Sequence, residues 1–227
     1  MTAPTRLGLF GGTFDPVHVG HLDAAAAALR ALRLDRVLFI PSHLPPHREA
    51  DPRATPFHRF AMVVLATNDT AEYRACDIEV RRTGTSYTHD TLLGLHADGW
   101  HPSQLFFIIG TDAFAEIALW REFGKLVEGT NFAVVGRAGT TLTNALARTP
   151  ALGHRVRPLA EAGAPSASPA VYLIDAATRD VSSSQIRQEL AAGRPIAHQV
   201  PEAVERHIIR HGLYGAVDRL HGDTQVS

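Results

Sequence analysis

The sequence predicts an α/β protein built on a doubly wound parallel sheet. Five apolar runs are almost uninterrupted by polar residues, which is typical of parallel strands that helices cover on both faces. Amphipathic stretches separate these runs, so strands and helices alternate, and this alternation implies right-handed crossover connections. The predicted strands are residues 7–10, 37–41, 105–109, 132–136 and 171–174.

The predicted helices lie between these strands or follow the last one, and apolar residues recur in them at helical spacing. The final helix, residues 201–211, has a proline in its first turn, and Gly212 follows it as a helix-ending residue. The other predicted helices are residues 22–34, 57–66, 87–97, 112–126 and 186–192.

Two further segments complete the prediction of the fold. The run CDIEV, residues 76–80, reads as another strand and places Cys76 in the core. Residues 138–169 are rich in Ala, Gly, Pro, Ser and Thr, and we expect a short helix and a mobile surface connection there, not a second domain. We therefore expect a single domain over residues 1–215 and a flexible tail over residues 216–227.

The overall composition excludes several classes of function. The 227 residues carry 22 Lys and Arg against 23 Asp and Glu, whereas proteins that hold nucleic acid or an anionic membrane through their overall field carry a basic excess. Cys76 is the only cysteine, so no intramolecular disulfide can form, which favours a reducing compartment. No run reaches the roughly 18 apolar residues of a membrane helix, and no signal-peptide pattern is present. We expect a cytoplasmic protein with neither a nucleic-acid nor a membrane partner.

The stretch GGTFDPVHVGH follows the first predicted strand and carries the residues best suited to bind an anion. Gly11 and Gly12 let main-chain N–H groups approach a phosphate closely. His18 and His21 fall in the first turns of the next helix, where residues three apart share a face and the helix dipole favours anions. Gly20 removes a side chain that would crowd a ligand there. A polyphosphate site is favoured over a structural role and over zinc, because helical zinc pairs are usually four residues apart with a third ligand.

This stretch resembles the HxGH signature of the nucleotidylyltransferase superfamily, and the whole string, with TFDP before the histidines, is similar to bacterial nicotinate-nucleotide adenylyltransferases. The resemblance extends over residues 7–214. It implies a Rossmann-like nucleotidylyltransferase fold and a reaction of NAD biosynthesis. In that reaction nicotinate mononucleotide attacks ATP, which carries Mg²⁺, and the products are deamido-NAD and pyrophosphate. The resemblance also implies that His18 and His21 are catalytic and that ATP contacts Gly11, Gly12, Thr13 and Phe14.

The segment SHLPPHR follows the second predicted strand and is a candidate phosphate site. Its two prolines hold the backbone extended, so the polar side chains belong either to a rigid surface turn or to a binding loop. The resemblance implies that Ser42, His47 and Arg48 contact the mononucleotide.

The segment TSYTHDTL opens a predicted helix with a cluster of hydroxyl residues, which by itself makes a good N-cap. The N–H groups of Tyr87 and Thr88 can also bind a carboxylate. A neutral amide facing the same donors would leave donors unsatisfied, at a cost of ~1–3 kcal/mol each. The resemblance places the pyridine carboxylate of the acceptor at this segment.

The segment VSSSQIRQEL follows the last predicted strand, and Ser182 with Gln185 fits a capping box. Arg187 lies three and four residues after Ser184 and Ser183, so these side chains share a face with the helix N–H groups and can hold a phosphate. The segment resembles the family's ISSTxIR motif. The resemblance implies that both serines and a catalytic Arg187 bind the β- and γ-phosphates of ATP.

Four more residues are assigned to the nucleotide pocket. Asp112, which follows Gly110 at the end of a buried strand, is either an acceptor for ribose hydroxyls or the N-cap of the next helix. Trp120 is either a core residue or, as the resemblance implies, stacked on the pyridine ring. Arg137 is either a surface arginine or, by the resemblance, close to the mononucleotide.

The motifs contain donors and cations but neither a Ser–His–Asp array nor paired catalytic carboxylates. This composition fits an ionised phosphate nucleophile, which needs no general base. Two alternatives stay open: an adenylyltransferase acting on another acceptor, such as nicotinamide mononucleotide or pantetheine phosphate, and a nucleotide sensor without turnover. Whether the chain forms a homo-oligomer also stays open. His207 and His211 on the last helix are expected to be surface residues without a metal.

Overall fold

The computed structural model describes residues 6–46, 52–136, 142–162 and 168–216. Six parallel strands form one sheet in the order β3-β2-β1-β4-β5-β6. The winding direction reverses between β1 and β4, and ligands of such sheets bind beyond the carboxyl ends of the strands at this point. The strands are β1 (Leu7–Gly12), β2 (Arg36–Pro41), β3 (Tyr73–Ala75), β4 (Leu105–Gly110), β5 (Asn131–Gly136) and β6 (Val171–Asp175).

The helices cover both faces of the sheet. They are α1 (Val19–Ala31), α2 (Pro56–Thr67), α3 (Thr88–Ala97), α4 (Thr111–Phe114), α5 (Phe123–Gly129), α6 (Leu142–Ala147), α7 (Ser183–Ala191) and α8 (Glu202–Arg210). Successive strand residues point to opposite faces, so Phe106 and Ile108 of β4 pack into one core while Phe107 and Ile109 pack into the other. The first core includes residues of α1, α2, α7 and α8, and the second includes residues of α3, α4, α5 and α6. The predicted doubly wound α/β class is confirmed.

All five strands predicted from apolar runs are present, but the strand predicted over residues 76–80 is wrong. The chain instead forms β3 just before it, and Cys76 follows that strand, half-buried. Only Tyr73 of the three strand residues is buried, so β3 is too short and too polar to produce a periodic pattern. Burial raises the pKa of the Cys76 thiol.

The continuous helix predicted over residues 112–126 is also wrong. The chain forms α4, then a 3₁₀ turn at Ile117–Leu119, and then α5. Trp120 is extended, and Glu122 has a left-handed φ of 58°, so the helical path is interrupted twice before α5 begins. The apolar periodicity continues across this break because both pieces pack on the same core, and periodicity alone therefore does not reveal it.

The carboxyl-terminal part of the described chain agrees with the prediction in outline. α8 ends at Arg210, and Gly212 follows with a left-handed φ of 59°, the conformation that favours glycine after a helix. In the predicted connection, the short helix is α6, followed by 3₁₀ turns at Pro150–Arg155 and Leu159–Glu161. The predicted tail lies outside the described residues beyond Ala216. No helix in the described part of the chain is long and apolar enough to cross a bilayer.

Candidate active site

The two histidines of the opening motif lie side by side at the amino end of α1. His18 is the N-cap residue and is buried, and its ring stacks on that of His21, with centroids 3.7 Å apart. The His18 main-chain N–H donates a hydrogen bond to Nδ1 of His21 over 3.2 Å. Because Nδ1 of His21 accepts, the proton of the neutral ring is on Nε2. The predicted shared face is confirmed, and His21 presents a donor beyond the helix end.

Gly20 lines the first cavity, as expected for a residue that leaves room for a ligand, and it also lies close to two groups of the protein itself. A Cβ at residue 20 would lie 3.1 Å from Nδ1 of His18 and 3.1 Å from the carbonyl oxygen of Arg179. The space is therefore occupied by the neighbouring imidazole and by the chain before α7. A side chain at residue 20 would require His18 or the chain at Arg179 to shift by a few tenths of an ångström.

Two cavities open on either side of His21. The first has a volume of about 200 Å³ and lies between β1, β4, α1 and residues 178–181. The second has a volume of about 380 Å³ and lies between β1, the loop after β2, the start of α3 and residues 120–121. Gly11, His21 and Ala113 line both cavities. A group bound in one cavity would thus meet a group bound in the other at the imidazole of His21.

The first cavity contains His18, Gly110 and Asp112 among the predicted site residues. Gly110, not Asp112, is the N-cap of α4, so the capping role considered for Asp112 is wrong. The Asp112 carboxylate is exposed at the edge of β4, where it can accept hydrogen bonds from a ligand. Arg179 also lines this cavity and was not predicted.

Arg179 is held by an ion pair with Asp23 of α1. Its Nε and Nη2 donate to the two carboxylate oxygens over 2.8 and 2.7 Å, and its main-chain N–H donates over 3.0 Å. The side-chain hydrogen bonds from Arg179 lower the pKa of Asp23 below 3.8. Because the pKa falls on folding, the pair contributes stability above about pH 3.8, and the contribution is lost as the pH falls through the folded pKa. The pair fixes the segment that closes one side of the first cavity.

Besides Gly11 and His21, the second cavity contains six of the predicted residues. Tyr87 is the N-cap of α3, so the predicted helix start is confirmed, and its neighbour Thr88 begins the helix. Trp120 packs edge-on against Phe107 of the core, with ring centroids 5.9 Å apart, and also lines the cavity, so both roles considered for it are compatible with its position. The six residues are Gly12, Thr13, Ser42, Tyr87, Thr88 and Trp120.

The second cavity also contains two charged residues that the sequence interpretation missed. Glu79 is buried, and its Oε1 accepts a hydrogen bond of 2.6 Å from the Thr91 hydroxyl. Burial raises the pKa of Glu79, while hydrogen bonds from Thr91 and Ser86 oppose this effect. Arg121 lies at the rim, beside Trp120.

Phe14 was predicted to contact ATP, but the structure places it in the core. Its side chain is buried, and its ring lies 5.0 Å from that of His21 in an edge-on contact. The two cavities, as the described residues form them, do not include it. Phe14 has a left-handed φ of 51°, and its ring packs against Gly12 and against the ring of His21.

The amino end of α7 contacts the loop that precedes His18. Ser183 Oγ donates to the carbonyl oxygen of Pro16 over 2.8 Å, and Nη1 of Arg187 donates to that of Asp15 over 2.7 Å. Nη2 of Arg187 also donates to Ser184 Oγ over 3.1 Å, which confirms that these two side chains share a face. The two cavities described above include none of Ser183, Ser184 and Arg187, so the three residues lie beside them.

Asp15 connects this loop to a distant part of the chain. Its carboxylate is buried and accepts hydrogen bonds from the main-chain N–H groups of Arg53 and Ala54 and, over 2.7 Å, from the hydroxyl of Tyr214. Burial and the neighbouring Asp15 carboxylate raise the pKa of Tyr214 well above its usual value. The hydroxyl therefore remains a donor throughout the neutral range.

Arg59 of α2 connects the loop after β1 with the loop after β2 through hydrogen bonds to main-chain carbonyl oxygens of both. The side chain is fully buried, and it donates to the carbonyl oxygens of Thr13, Ser42 and His43 over 2.7 to 2.8 Å and to that of Ala54 over 3.2 Å. Both loops line the second cavity. Arg59 was missed because an arginine in an amphipathic helix looks like a solvated residue when only its local spacing is considered.

Three predicted residues, His47, Arg48 and Arg137, lie outside the described residues.

The prediction for the last histidines needs correction. His207 is half-buried, and its Nε2 lies 3.2 Å from Nδ1 of His58 on α2, so only His211 is an exposed surface residue. Desolvation and the neighbouring histidines lower the pKa of His207. In the part of the chain that the structure describes, no group of three or more His, Cys, Asp or Glu side chains is arranged to hold a metal ion.

The sequence of this chain is similar to a family model and to proteins of known families. The family model described as cytidylyltransferase-like matches residues 9–189. A "Probable nicotinate-nucleotide adenylyltransferase" of Roseiflexus sp. (strain RS-1) is 40% identical over 208 residues, 92% of this chain and 97% of the relative. A protein of the same name from Symbiobacterium thermophilum is 40% identical over 220 residues, 96% of this chain and 99% of the relative.

A solved structure shares the fold. It is the nicotinic acid mononucleotide adenylyltransferase of Plasmodium falciparum complexed with NaAD, which superimposes with a TM-score of 0.69 at 18% sequence identity. The match covers 92% of this chain and 97% of that one. At this identity the likeness concerns the arrangement of strands and helices.

Proposed function

The chain belongs to the cytidylyltransferase-like family, and from this premise we propose that it is a nicotinate-nucleotide adenylyltransferase of NAD biosynthesis. It transfers the adenylyl group of ATP to nicotinate mononucleotide and releases deamido-NAD and pyrophosphate. The observation that carries the proposal is the pair of cavities that meet at Gly11 and His21. A reaction that joins two nucleotides needs two such spaces and a junction that holds phosphate.

We assign ATP to the first cavity and the mononucleotide to the second. In the first, Asp112 accepts from the ribose hydroxyls beside Gly110. In the second, Trp120 stacks on the pyridine ring, and the N–H groups of Tyr87 and Thr88 bind the pyridine carboxylate. Ser42 lines this cavity. On the basis of the sequence motifs we also assign His47, Arg48 and Arg137 to binding of the mononucleotide.

The reaction is a single displacement at the α-phosphorus of ATP. An oxygen of the mononucleotide 5′-phosphate forms the new bond to this phosphorus, and the bond to the oxygen that bridges to the β-phosphate breaks. Pyrophosphate leaves with that oxygen and its electron pair. The attacking phosphate is already ionised near neutral pH, so no base is required, and the rate depends on in-line placement and on stabilised charge.

The residues at the junction supply this stabilisation. Nε2–H of His21 donates to an oxygen of the α-phosphate, and His18 and the Gly11–Gly12 main chain complete the contacts. Arg187, Ser183 and Ser184 at the start of α7 hold the β- and γ-phosphates. The support for this role is the contact of Arg187 and Ser183 with the carbonyl oxygens of Asp15 and Pro16, which lie just before the two histidines in the chain.

We propose that Mg²⁺ arrives with ATP, where it would neutralise part of the charge on the phosphate oxygens. The serine hydroxyls at the start of α7 are oxygen ligands of the kind that Mg²⁺ accepts, alongside phosphate and water. The chain's own part is to orient the triphosphate. We further propose a cytoplasmic location and one catalytic domain over residues 1–215.

We expect pyrophosphate release with ATP and nicotinate mononucleotide, and a kcat/KM at least about tenfold higher than with nicotinamide mononucleotide. The reason is that the donors at the start of α3 match a carboxylate and oppose an amide NH₂. Coupled pyrophosphate detection with each mononucleotide, and with pantetheine phosphate, measures this. Equal values for acid and amide would refute the assignment of the acceptor, and ATP binding without pyrophosphate release would identify a sensor.

Replacing Asp23 by asparagine is expected to raise the KM for ATP by about three- to tenfold and to leave kcat within about twofold. The change removes the ion pair that fixes Arg179 at the side of the first cavity. Steady-state kinetics with ATP as the varied substrate measures it. Asp77→Asn is the matched control, because Asp77 forms an exposed pair with Arg81 away from both cavities. An unchanged KM for ATP in the Asp23 variant would contradict the role of the pair.

A further inference from the structure

We propose that Arg121 is a specificity-determining residue whose guanidinium selects an acceptor that carries a carboxylate on its ring. This inference rests on the proposed function, because it concerns recognition of the acceptor within the second cavity. It adds a side-chain cation to the main-chain donors at the start of α3.

The break between α4 and α5 brings Arg121 to the cavity. In a continuous helix, successive side chains diverge by about 100°, so Trp120 and its neighbour could not both face one space. The extended backbone at Trp120 and the left-handed Glu122 remove this restriction, and both Trp120 and Arg121 line the second cavity. Trp120, which would stack on the pyridine ring, is thus adjacent to Arg121, which would bind the carboxylate on that ring.

Two contacts orient the guanidinium toward the start of α3. Its central carbon lies 4.5 Å from the centroid of the Tyr87 ring, a cation–π arrangement. Nη1 lies 3.7 Å from Oδ2 of Asp90, which is an ion pair at a distance too long for a hydrogen bond. Tyr87 is also the residue whose N–H is assigned to the carboxylate, so the cation and the N–H donors converge on one end of the cavity.

The charges around this end favour an anionic ligand. The ion pair with Asp90 is half exposed on both sides and therefore weak, so Asp90 neutralises Arg121 only in part. The amino end of α3 adds partial positive charge. Asp90 does not line the cavity, whereas Glu79 does, and burial raises the pKa of the Glu79 carboxyl. A ring carboxylate replaces Asp90 as the partner of the guanidinium.

The test compares kcat/KM for the acid and the amide mononucleotides in Arg121→Gln. We expect about a tenfold loss for nicotinate mononucleotide, mainly through KM, and a change of less than about twofold for nicotinamide mononucleotide and for the KM of ATP. Arg121→Lys, which keeps the charge, should retain most of the preference for the acid. Arg81→Gln is the matched surface control, since Arg81 is exposed, has an acidic partner and lines neither cavity.

Asp90→Asn separates recognition from a structural role of the ion pair. If Arg121 serves only to pair with Asp90, removing either partner has the same effect. If Arg121 binds the acceptor, Asp90→Asn leaves the KM for nicotinate mononucleotide unchanged or lowers it. A loss in Asp90→Asn equal to that in Arg121→Gln, or an equal loss for acid and amide in Arg121→Gln, would overturn the inference.

The outcomes also distinguish this inference from the proposed function. A wild-type protein that turns over neither mononucleotide refutes the function itself. A wild-type preference for the acid that Arg121→Gln leaves intact supports the function and refutes the role of Arg121.

Discussion

Replacing His21 by asparagine is expected to lower kcat by about 10²–10³ while the protein stays folded. His21 is chosen because it lines both cavities, whereas His18, the N-cap of α1, lines only the first of them. The amide oxygen of asparagine can take the place of Nδ1 and accept the His18 N–H, so the helix start is preserved. What the variant loses is the donor at the Nε2 position, which we assign to the α-phosphate.

Two measurements and two further variants test this expectation. Single-turnover adenylyl transfer at saturating substrates reports the chemical step, and the melting temperature reports the fold. His21→Gln places an amide N–H nearer the Nε2 position and should recover part of the rate. His101→Ala, at an exposed histidine outside both cavities, is the control. A kcat within about threefold of wild type in the asparagine variant would show that His21 does not stabilise the transition state.

Replacing Arg59 by methionine is expected to lower the free energy of unfolding by about 3–5 kcal/mol, because the buried carbonyl groups of two loops lose their donor. The methionine side chain fills much of the same volume but donates no hydrogen bond. Water can reach some of the four carbonyl oxygens, so the loss is smaller than four complete desolvation penalties. Urea unfolding, followed by tryptophan fluorescence, measures the change.

Arg74→Met is the matched control for this prediction. Arg74 also donates to two main-chain carbonyl oxygens, those of Ala71 and Tyr73, but it is exposed, and water can replace it. We expect a loss within about 1 kcal/mol in the control. A similarly small loss in Arg59→Met would show that the carbonyl groups find other partners and that the two loops do not depend on this side chain.

The parts of the fold that the sequence predicted are those governed by burial on both sides of the sheet. β1, β2, β4, β5 and β6 are nearly continuous apolar runs because helices cover both of their faces. β3 escaped prediction because it lies at the sheet edge, has three residues and buries only Tyr73. The break before α5 escaped because a left-handed residue such as Glu122 leaves no mark on the apolar pattern.

In the candidate site, the residues marked by a local sequence pattern were predicted, and those brought together by contacts between distant parts of the chain were missed. His18 and His21 were predicted because the pattern that marks them depends only on a spacing of three residues and on the helix end next to them. Asp15 and Tyr214 are 199 residues apart, and Arg59 lies 46 residues from Thr13, so no local pattern connects them. Glu79 and Arg121 were missed for the same reason, since their side chains reach the second cavity only through the packing of α3 and the turn before α5.

The hydrogen bond between Tyr214 and Asp15 has a consequence for the newly made protein. During synthesis, Tyr214 is added 199 residues after Asp15, which belongs to the loop that carries the histidines. Until then the Asp15 carboxylate has no hydrogen bond from the Tyr214 hydroxyl. The residues of α7, among them Arg187, which contacts the Asp15 carbonyl, are also added late in this interval. The loop that carries the histidines therefore gains these contacts only after the segment from Ser183 to Tyr214 has been added to the growing chain.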